Sequence, residues 1–453
     1  MSDLLSLLSL GSAGIAAQNT GVSVATNNVA NVNTQGYSRQ RVDLEALRAS
    51  PLIGGVRSGQ PDRLEDRLLA GRLRSSSGSL AHSEQLASGL GDLEATLSST
   101  PTMHEHLGGL FSSLGQVAAD PNDPSRRGAV LAELRSFISD IRRRASELAD
   151  GLSQANVRID GNAADASSLA ERLAATNKQV AQTNDPVARD ERDRLATALG
   201  KLVGGDARID PDGQMRYVLD GGAVLVDGGR AAKLVTTPDP VTGNSNVVVV
   251  DGASRRDVTS TLAGGKIGAD LSLRDKSITG AIGKLDQFAS DVATSMNAVH
   301  TAGAGLDGIS GRPMFVPPTQ VAGAASKLAI DPALDANPDI LATGTVGAGP
   351  GDNRGALALF GLATSRATAS GNTLTGAALD LVAGVGSETA EAKASVTRNS
   401  LVDEHLNGLR DSLAGVDLQE ELTNLSKFEH ASSAMTRFVS TIDNLLGDLI
   451  DRL

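Results

Sequence analysis

Cysteine is absent from the 453 residues, and so is tryptophan. The first absence rules out a disulfide framework, a thiolate nucleophile and a cysteine-based metal site. Aromatic residues make up only 2% of the chain, whereas an enzyme of this length usually builds its pocket walls partly from aromatics. Basic charge is short as well: 41 Lys and Arg against 53 Asp and Glu give a formal net charge of -12. Nucleic acid is therefore not expected as a partner, since phosphate binding needs a basic footprint. The run Arg142, Arg143, Arg144 is the local exception, and its acidic neighbours make it read as a solvated helix face. No Lys or Arg precedes Arg39, so the apolar stretch LLSLLSL at residues 4 to 10 lacks the basic flank of a signal peptide. That stretch is also too short and too serine-rich to span a bilayer. A soluble chain with no membrane partner is expected, leaving the cell, if it does, by a route other than general secretion.

What the chain has in quantity is Leu, Val, Ala and Ile, with 50 glycines, a composition that suits long helices packed side by side. Near the N-terminus Leu8, Ile15, Val22 and Val29 fall seven apart, with Leu4, Gly11, Gln18, Ala25 and Val32 as the companion row. This is an a/d seam over four heptads. Gly11, Gly14 and Gly21 lie inside it, each costing about 1 kcal/mol of helix stability relative to alanine. At the C-terminus Leu418, Leu425, Ser432, Val439, Leu446 and Leu453 are again seven apart, interleaved by Phe428, Met435, Ile442 and Leu449. Asp417 is placed to cap that helix, with Glu420 in capping-box position. Both ends are thus amphipathic helices that need partners to become ordered.

Between them, residues 62 to 200 read as long helices, broken at Pro101 and at DPNDPS (residues 120 to 125). From residue 203 β-branched runs alternate with Asp-Gly and Gly-Gly turns, a hairpin texture. The expected fold is mainly α with an inserted β-rich domain: terminal coiled-coil-type helices paired at one end and a long helical bundle body. The expected domains are 1–40 with 416–453 (terminal helices), 41–202 with 263–300 and 352–415 (helical body), 203–262 (β-rich outer domain) and 301–351 (Gly/Pro-rich loops).

No catalytic constellation stands out, and no cofactor is expected. In HEH (residues 104 to 106) the histidines are two apart and would point to different sides of a helix, whereas a zinc helix needs them at i and i+4. DPDGQ (residues 210 to 214) lacks the spaced ligands and closing glutamate of a calcium loop and reads as a tight turn. His300 reads as a helix-end residue. The architecture favours a self-assembling or scaffold protein over an enzyme.

The stretch NNVANVNTQGYSRQRVDL (residues 27 to 44) resembles the N-terminal signature of bacterial flagellar axial proteins, and TQGYSRQRV specifically that of the FlgK-type hook-associated family. DERDRLATALGKLVG, GGKIGADLSLRDKSITGAIGKLDQFASDVATSMNAVHTAG, GLDGISGRPMF, DPALDANPDIL, GDNRGALAL and the C-terminal segment from Leu413 onward continue the resemblance in order. Departures are Glu429 and Ser432, where related proteins often carry Gln and Tyr; losing a seam tyrosine forfeits about 1 to 3 kcal/mol of burial. The short loop after Phe315 implies that the extra outer domain of longer members is missing.

The resemblance implies an extracellular structural subunit at the hook–filament junction, exported unfolded through the flagellar type III apparatus. The implied partners are copies of itself in a ring or helical layer, hook protein, the second junction protein and through it flagellin, and an export chaperone of FlgN type. Within this frame Asn31, Asn33 and Gly36 are expected to end the first helix through left-handed backbone. Tyr37 is expected to anchor the turn, and SRQRVDLEAL to run extended to the next domain. The alternatives are a rod or hook subunit and, in another class, a secreted enzyme or adhesin on a flagellar scaffold, for which the β domain is the only place.

Overall fold

The computed structural model describes residues 2–34, 36–50 and 53–451, and their side chains except at residues 2–3, 47–50, 53–54 and 449. Helix α1 spans Ser2–Ala30. Four short strands follow: β1 (Gln40–Arg41), β2 (Leu44–Ser50), β3 (Ile53–Ser58) and β4 (Asp62–Arg63). β1 pairs with β4, and β2 with β3, both antiparallel. The segment expected to run extended does so as β1 and the start of β2, but the chain then returns along it as β3, which lies against α1, before it reaches the body. A lone hairpin is marginal in water, and the helix supplies the surface it lacks.

Helices α2 (Arg67–Ser98), α3 (Met103–Ala119), α4 (Pro124–Thr183) and α5 (Pro186–Val203) build the body. Each begins on a side-chain cap, Asp66, Thr102, Asp123 and Asp185 respectively. Glu105 of the HEH stretch closes the capping box of α3, its carboxylate accepting from the Thr102 amide at 2.6 Å. The β insertion holds β5 (Asp206–Ile209), β6 (Met215–Val218), β7 (Val224–Asp227) and β8 (Arg230–Ala231) in one antiparallel sheet. β9 (Lys233–Pro238), β10 (Ser245–Asp251) and β11 (Ser254–Asp257) form a second. It does not build a core of its own. Met215, Tyr217, Leu225, Val247 and Val249 pack with Ile159, Ala166 and Leu173 of α4 and with Leu195 and Leu199 of α5. The distal half of α4 is thus the back wall of the β unit.

The chain returns through α6 (Gly265–Ser272), a π-helical turn (Leu273–Ile278) and α7 (Thr279–Ala302). Residues 303–353 hold β12 (Gly303–Ala304), α8 (Ala324–Lys327), α9 (Pro332–Ala336) and β13 (Gly344–Thr345). The sequence reads this region as loops, yet Met314, Phe315, Leu334 and Leu341 are fully buried in the main core. Two side chains fasten it. Asn297 accepts from the Met314 and Phe315 amides, both at 2.8 Å. Arg127 gathers the carbonyls around residue 340. Arg144 behaves likewise, contrary to the expected solvated face. Fully buried, it donates to the carbonyls of Thr96, Leu97, Ser99 and Pro101 and pairs with Asp140 at 2.7 Å. Arg142 and Arg143 are exposed as expected; Arg143 pairs with Asp140 and Glu147, and Arg142 has no ion pair among the described residues.

His300 closes α7 and is buried. Its Nε2 accepts from the Ala342 amide at 3.0 Å, so Nδ1 carries the proton donated to the Arg312 carbonyl at 2.7 Å. Burial holds its pKa below the ordinary value. The unfolded chain therefore binds the proton more readily, and stability falls as pH drops through about 6.5. Melting curves between pH 8 and 5.5 should show this slope, and a His300→Gln variant should flatten it. An unchanged slope would assign the effect to His82, whose pKa burial also lowers.

Finally α10 (Arg354–Gly361), α11 (Leu374–Ala414) and α12 (Leu418–Ile450) bring the chain home. α11 runs antiparallel to α2, with Ser77 on Asp403 at 2.9 Å and Asn399 on Ser83 at 2.7 Å. These two helices carry the body to the terminal pair, α1 and α12.

Candidate functional site

α1 and α12 lie antiparallel. Val439 sits at Gly11, Met435 at Gly14, Phe428 at Gly21 and Glu421 at Asn28, so facing residue numbers are close to 449 in sum along the whole pair. The buried residues of α1 are Gly11, Gly14, Ala17, Gly21, Val24, Ala25 and Asn28. Gly11 and Ala25 of the expected companion row are among them, but the row of larger side chains is not. Leu4, Leu8, Ile15, Val22 and Val29 are only half-buried and flank the seam. A Cβ at Gly11 would stand 2.5 Å from Val439 Cγ2, and one at Gly21 2.6 Å from Phe428 Cδ1. The glycines, read from sequence as a cost to the helix, are slots that receive the large side chains of α12.

On α12 Leu425, Phe428, Met435, Val439, Ile442 and Leu446 are buried or half-buried along the seam, whereas Leu418 is exposed. The side chains of Leu449 and Leu453 lie outside the described residues. Ser432, in the place of the expected tyrosine, donates to Asn19 Oδ1 at 3.0 Å. At 3.6 residues per turn, exposed Leu418 and Leu422 flank the seam on one side and exposed Phe438 and Leu445 on the other.

The turn after α1 is organised by a residue that the heptad reading passes over. Asn28 is fully buried and spends its whole amide. Its Nδ2 donates to the Gln40 carbonyl at 2.9 Å and to Glu421 Oε2 at 3.0 Å. Its Oδ1 accepts from Tyr37 OH at 2.8 Å and from the Gln40 amide at 2.9 Å. The amide thus imitates a strand neighbour for Gln40, whose backbone then pairs with Arg63 in β4. Tyr37 anchors back onto α1 itself, and burial, with Asp190 and Glu421 nearby, pushes its pKa up to about 12. Gly36 takes the left-handed backbone, φ 82. Asn31 and Asn33 do not: Asn31 folds its amide onto the Asn27 carbonyl at 2.9 Å, and Asn33 is exposed.

Charge completes the joint. Arg39 grips Glu420 through two nitrogens, at 3.0 and 2.6 Å, and reaches Glu421 through Nε at 2.7 Å. Glu420 is therefore drawn to Arg39, and no capping box forms at Asp417, which caps α12 alone through the Gln419 and Glu420 amides. The Arg39 amide also donates to the Ala414 carbonyl at 2.9 Å, tying the joint to the end of α11. Behind it, buried Arg63 pairs with Asp190 at 2.8 Å, with Asp193 at 2.5 Å and with Glu65. Asp190 in turn accepts from the Ser38 amide at 3.2 Å. Nothing in the sequence spacing marks Asn28, Glu421 or Arg63, because their partners are remote along the chain.

Residues 90–315 match the family described as flagellar hook-associated protein FlgK helical domain. Flagellar hook-associated protein 1 of Bacillus subtilis (strain 168) is 29% identical over 502 residues, covering 96% of each chain. The protein of the same name from Salmonella typhimurium is 25% identical over 555 residues, covering 98% of this chain and 99% of that one. In three dimensions the chain resembles the flagellar hook junction protein FlgK from Burkholderia pseudomallei. That match has a TM-score of 0.70 and 15% identity, over 76% of this chain and 100% of that one. Sequence and fold agree, and the chain belongs to the FlgK family of flagellar hook-associated proteins.

Proposed function

We propose that this protein forms the thin layer between hook and filament, built by copies that pack through α1 and α12. Its family makes it a structural axial protein of the bacterial flagellum and not an enzyme. The observation that carries the reading is the terminal pair. Only one face of α12 is covered by α1, while Leu418 and Leu422 on one flank and Phe438 and Leu445 on the other stay exposed. A helix with apolar flanks on both sides suits a neighbour on each side, as in a closed layer of identical pairs. Hook protein would lie below this layer, and the second junction protein and flagellin above it. The half-open apolar pair also suits export as an unfolded chain through the type III channel, with a FlgN-type chaperone covering α12 beforehand. The β unit, which shares its core with α4 and α5, would stand on the outside of the layer.

Electron microscopy of cells lacking this gene tests the proposal. Bare hooks, with flagellin lost to the medium, should be restored to filaments by the full-length gene and not by one ending at residue 417. Normal filaments in the deletion strain would refute the reading, and absent hooks would favour a rod or hook subunit.

A further inference from the structure

The glycine row of α1 cannot fix the register of the terminal pair unaided. Gly14 and Gly21 are seven residues apart, as are Phe428 and Met435 on α12. Sliding one helix by a heptad seats Phe428 at Gly14, or Met435 at Gly21, and repeats the same packing of a large side chain in a glycine slot. No tight hairpin loop joins the two helices directly; they meet through the joint, where the Arg39 amide donates to the Ala414 carbonyl, residues 31–38 lead out of α1 and residues 415–417 lead into α12. Something else must separate these registers.

We infer that the buried contact of Asn28 with Glu421, closed by Arg39, selects the register of the α1–α12 pair. Asn28 continues the row of Gly14 and Gly21, so it is a polar residue at a seam position. Such a residue in a coiled coil specifies register at a cost in stability. Glu421 is 2% exposed. In the observed register its carboxylate takes Asn28 Nδ2 on one oxygen and Arg39 Nε on the other. Shifted by seven in one direction, Glu421 faces Gly21 and loses both Asn28 and Arg39, which leaves its charge in a largely apolar seam without the partners it has now. Shifted in the other direction, Phe428 is pressed onto Asn28, which has no glycine's space. The contact belongs to the folded chain alone and holds whether or not copies assemble.

The natural lack of cysteine allows a direct test on the full-length protein. Asn19 and Ser432 touch in the observed register, and Ser12 and Thr26 lie one heptad to either side of Asn19. Three double variants, each carrying S432C with S12C, N19C or T26C, report the three registers by oxidative cross-linking. With Glu421 present, only the N19C pair should close in high yield. Adding Glu421→Leu, which fits a glycine slot, should lower the ratio of native to shifted cross-links at least tenfold. Adding Glu421→Gln, which keeps an acceptor for Asn28, should leave the native pair dominant. An unchanged ratio with Glu421→Leu overturns the inference, as does loss of all three cross-links, which would mean that Glu421 holds the pair together rather than choosing its register.

Discussion

Replacing Arg127 with methionine should lower the melting temperature of the body by about 10 °C, a loss of about 3 to 5 kcal/mol. The guanidinium is fully buried and has no ion pair among the described residues. Its Nε donates to the Pro121 carbonyl at 2.7 Å, Nη1 to the Leu341 carbonyl at 2.9 Å and Nη2 to Thr343 Oγ1 at 2.6 Å. Longer contacts reach the carbonyls of Pro338 and Asp339. Burial pushes its pKa down, yet a guanidinium stays charged. Methionine fills the stem's volume but leaves these acceptors unpaired, and each costs about 1 to 3 kcal/mol unless water enters. The segment from Pro338 to Thr343 should loosen with it. Arg127→Lys should recover less than half of the loss, because one ammonium cannot address the fork of acceptors that a planar guanidinium does. Arg142→Met, on the exposed side of the arginine run, should change stability by less than about 0.5 kcal/mol. Calorimetry on the three variants decides the matter: a shift below 2 °C for Arg127→Met would show that water replaces the side chain at little cost.

Much of this architecture is legible locally. Pro101 and the aspartates of DPNDPS break helices by backbone chemistry that acts within a few residues, and the Asp-Gly turns of the β insertion do the same. The ends of α11 and α12 fall where Gly415 and Asp417 place them. What escaped the sequence is what depends on a distant partner. Arg127 and Arg144 look like surface residues because charge is normally solvated, and only their collected carbonyls, some more than 200 residues away, reverse that. The alanines of distal α4 are too small to announce a core face, yet Ala163, Ala166 and Ala170 let the sheets of the β unit come close. Asn28 was one of four crowded asparagines, and its role appears only with Glu421, 393 residues on. The four-heptad row of larger side chains on α1 was the visible periodicity, while the packed row runs from Gly11, already in its companion row, through the inconspicuous Gly14, Gly21 and Asn28. An apolar pattern reports which residues prefer burial, and a seam between close helices is set by which residues leave room.

That distinction gives glycine substitutions opposite signs at positions of the same helical type. Gly161, in α4, has open space where a Cβ would be, so Gly161→Ala should stabilise the body by up to about 1 kcal/mol through helix propensity. Gly21→Ala gains the same propensity within α1 and loses more, since its methyl would meet three ring atoms of Phe428 at 2.6 to 2.8 Å. Gly21→Leu is the severe case. Overpacking a tight contact costs about 1 to 3 kcal/mol, and Phe428 cannot withdraw without opening the seam between Met435 and Leu425. At the upper end this is about a hundredfold in the closed-to-open ratio of the terminal pair. Cross-linking of the N19C and S432C pair should then fall by at least tenfold, with the melting temperature of the body unchanged because Gly21 touches none of its core. Cells carrying Gly21→Leu should export the protein yet leave bare hooks, the same end state as removal of α12. If the cross-link persists and filaments grow, α1 and α12 have room to shift apart, and the glycine row is then a tolerance of the pair and not its determinant.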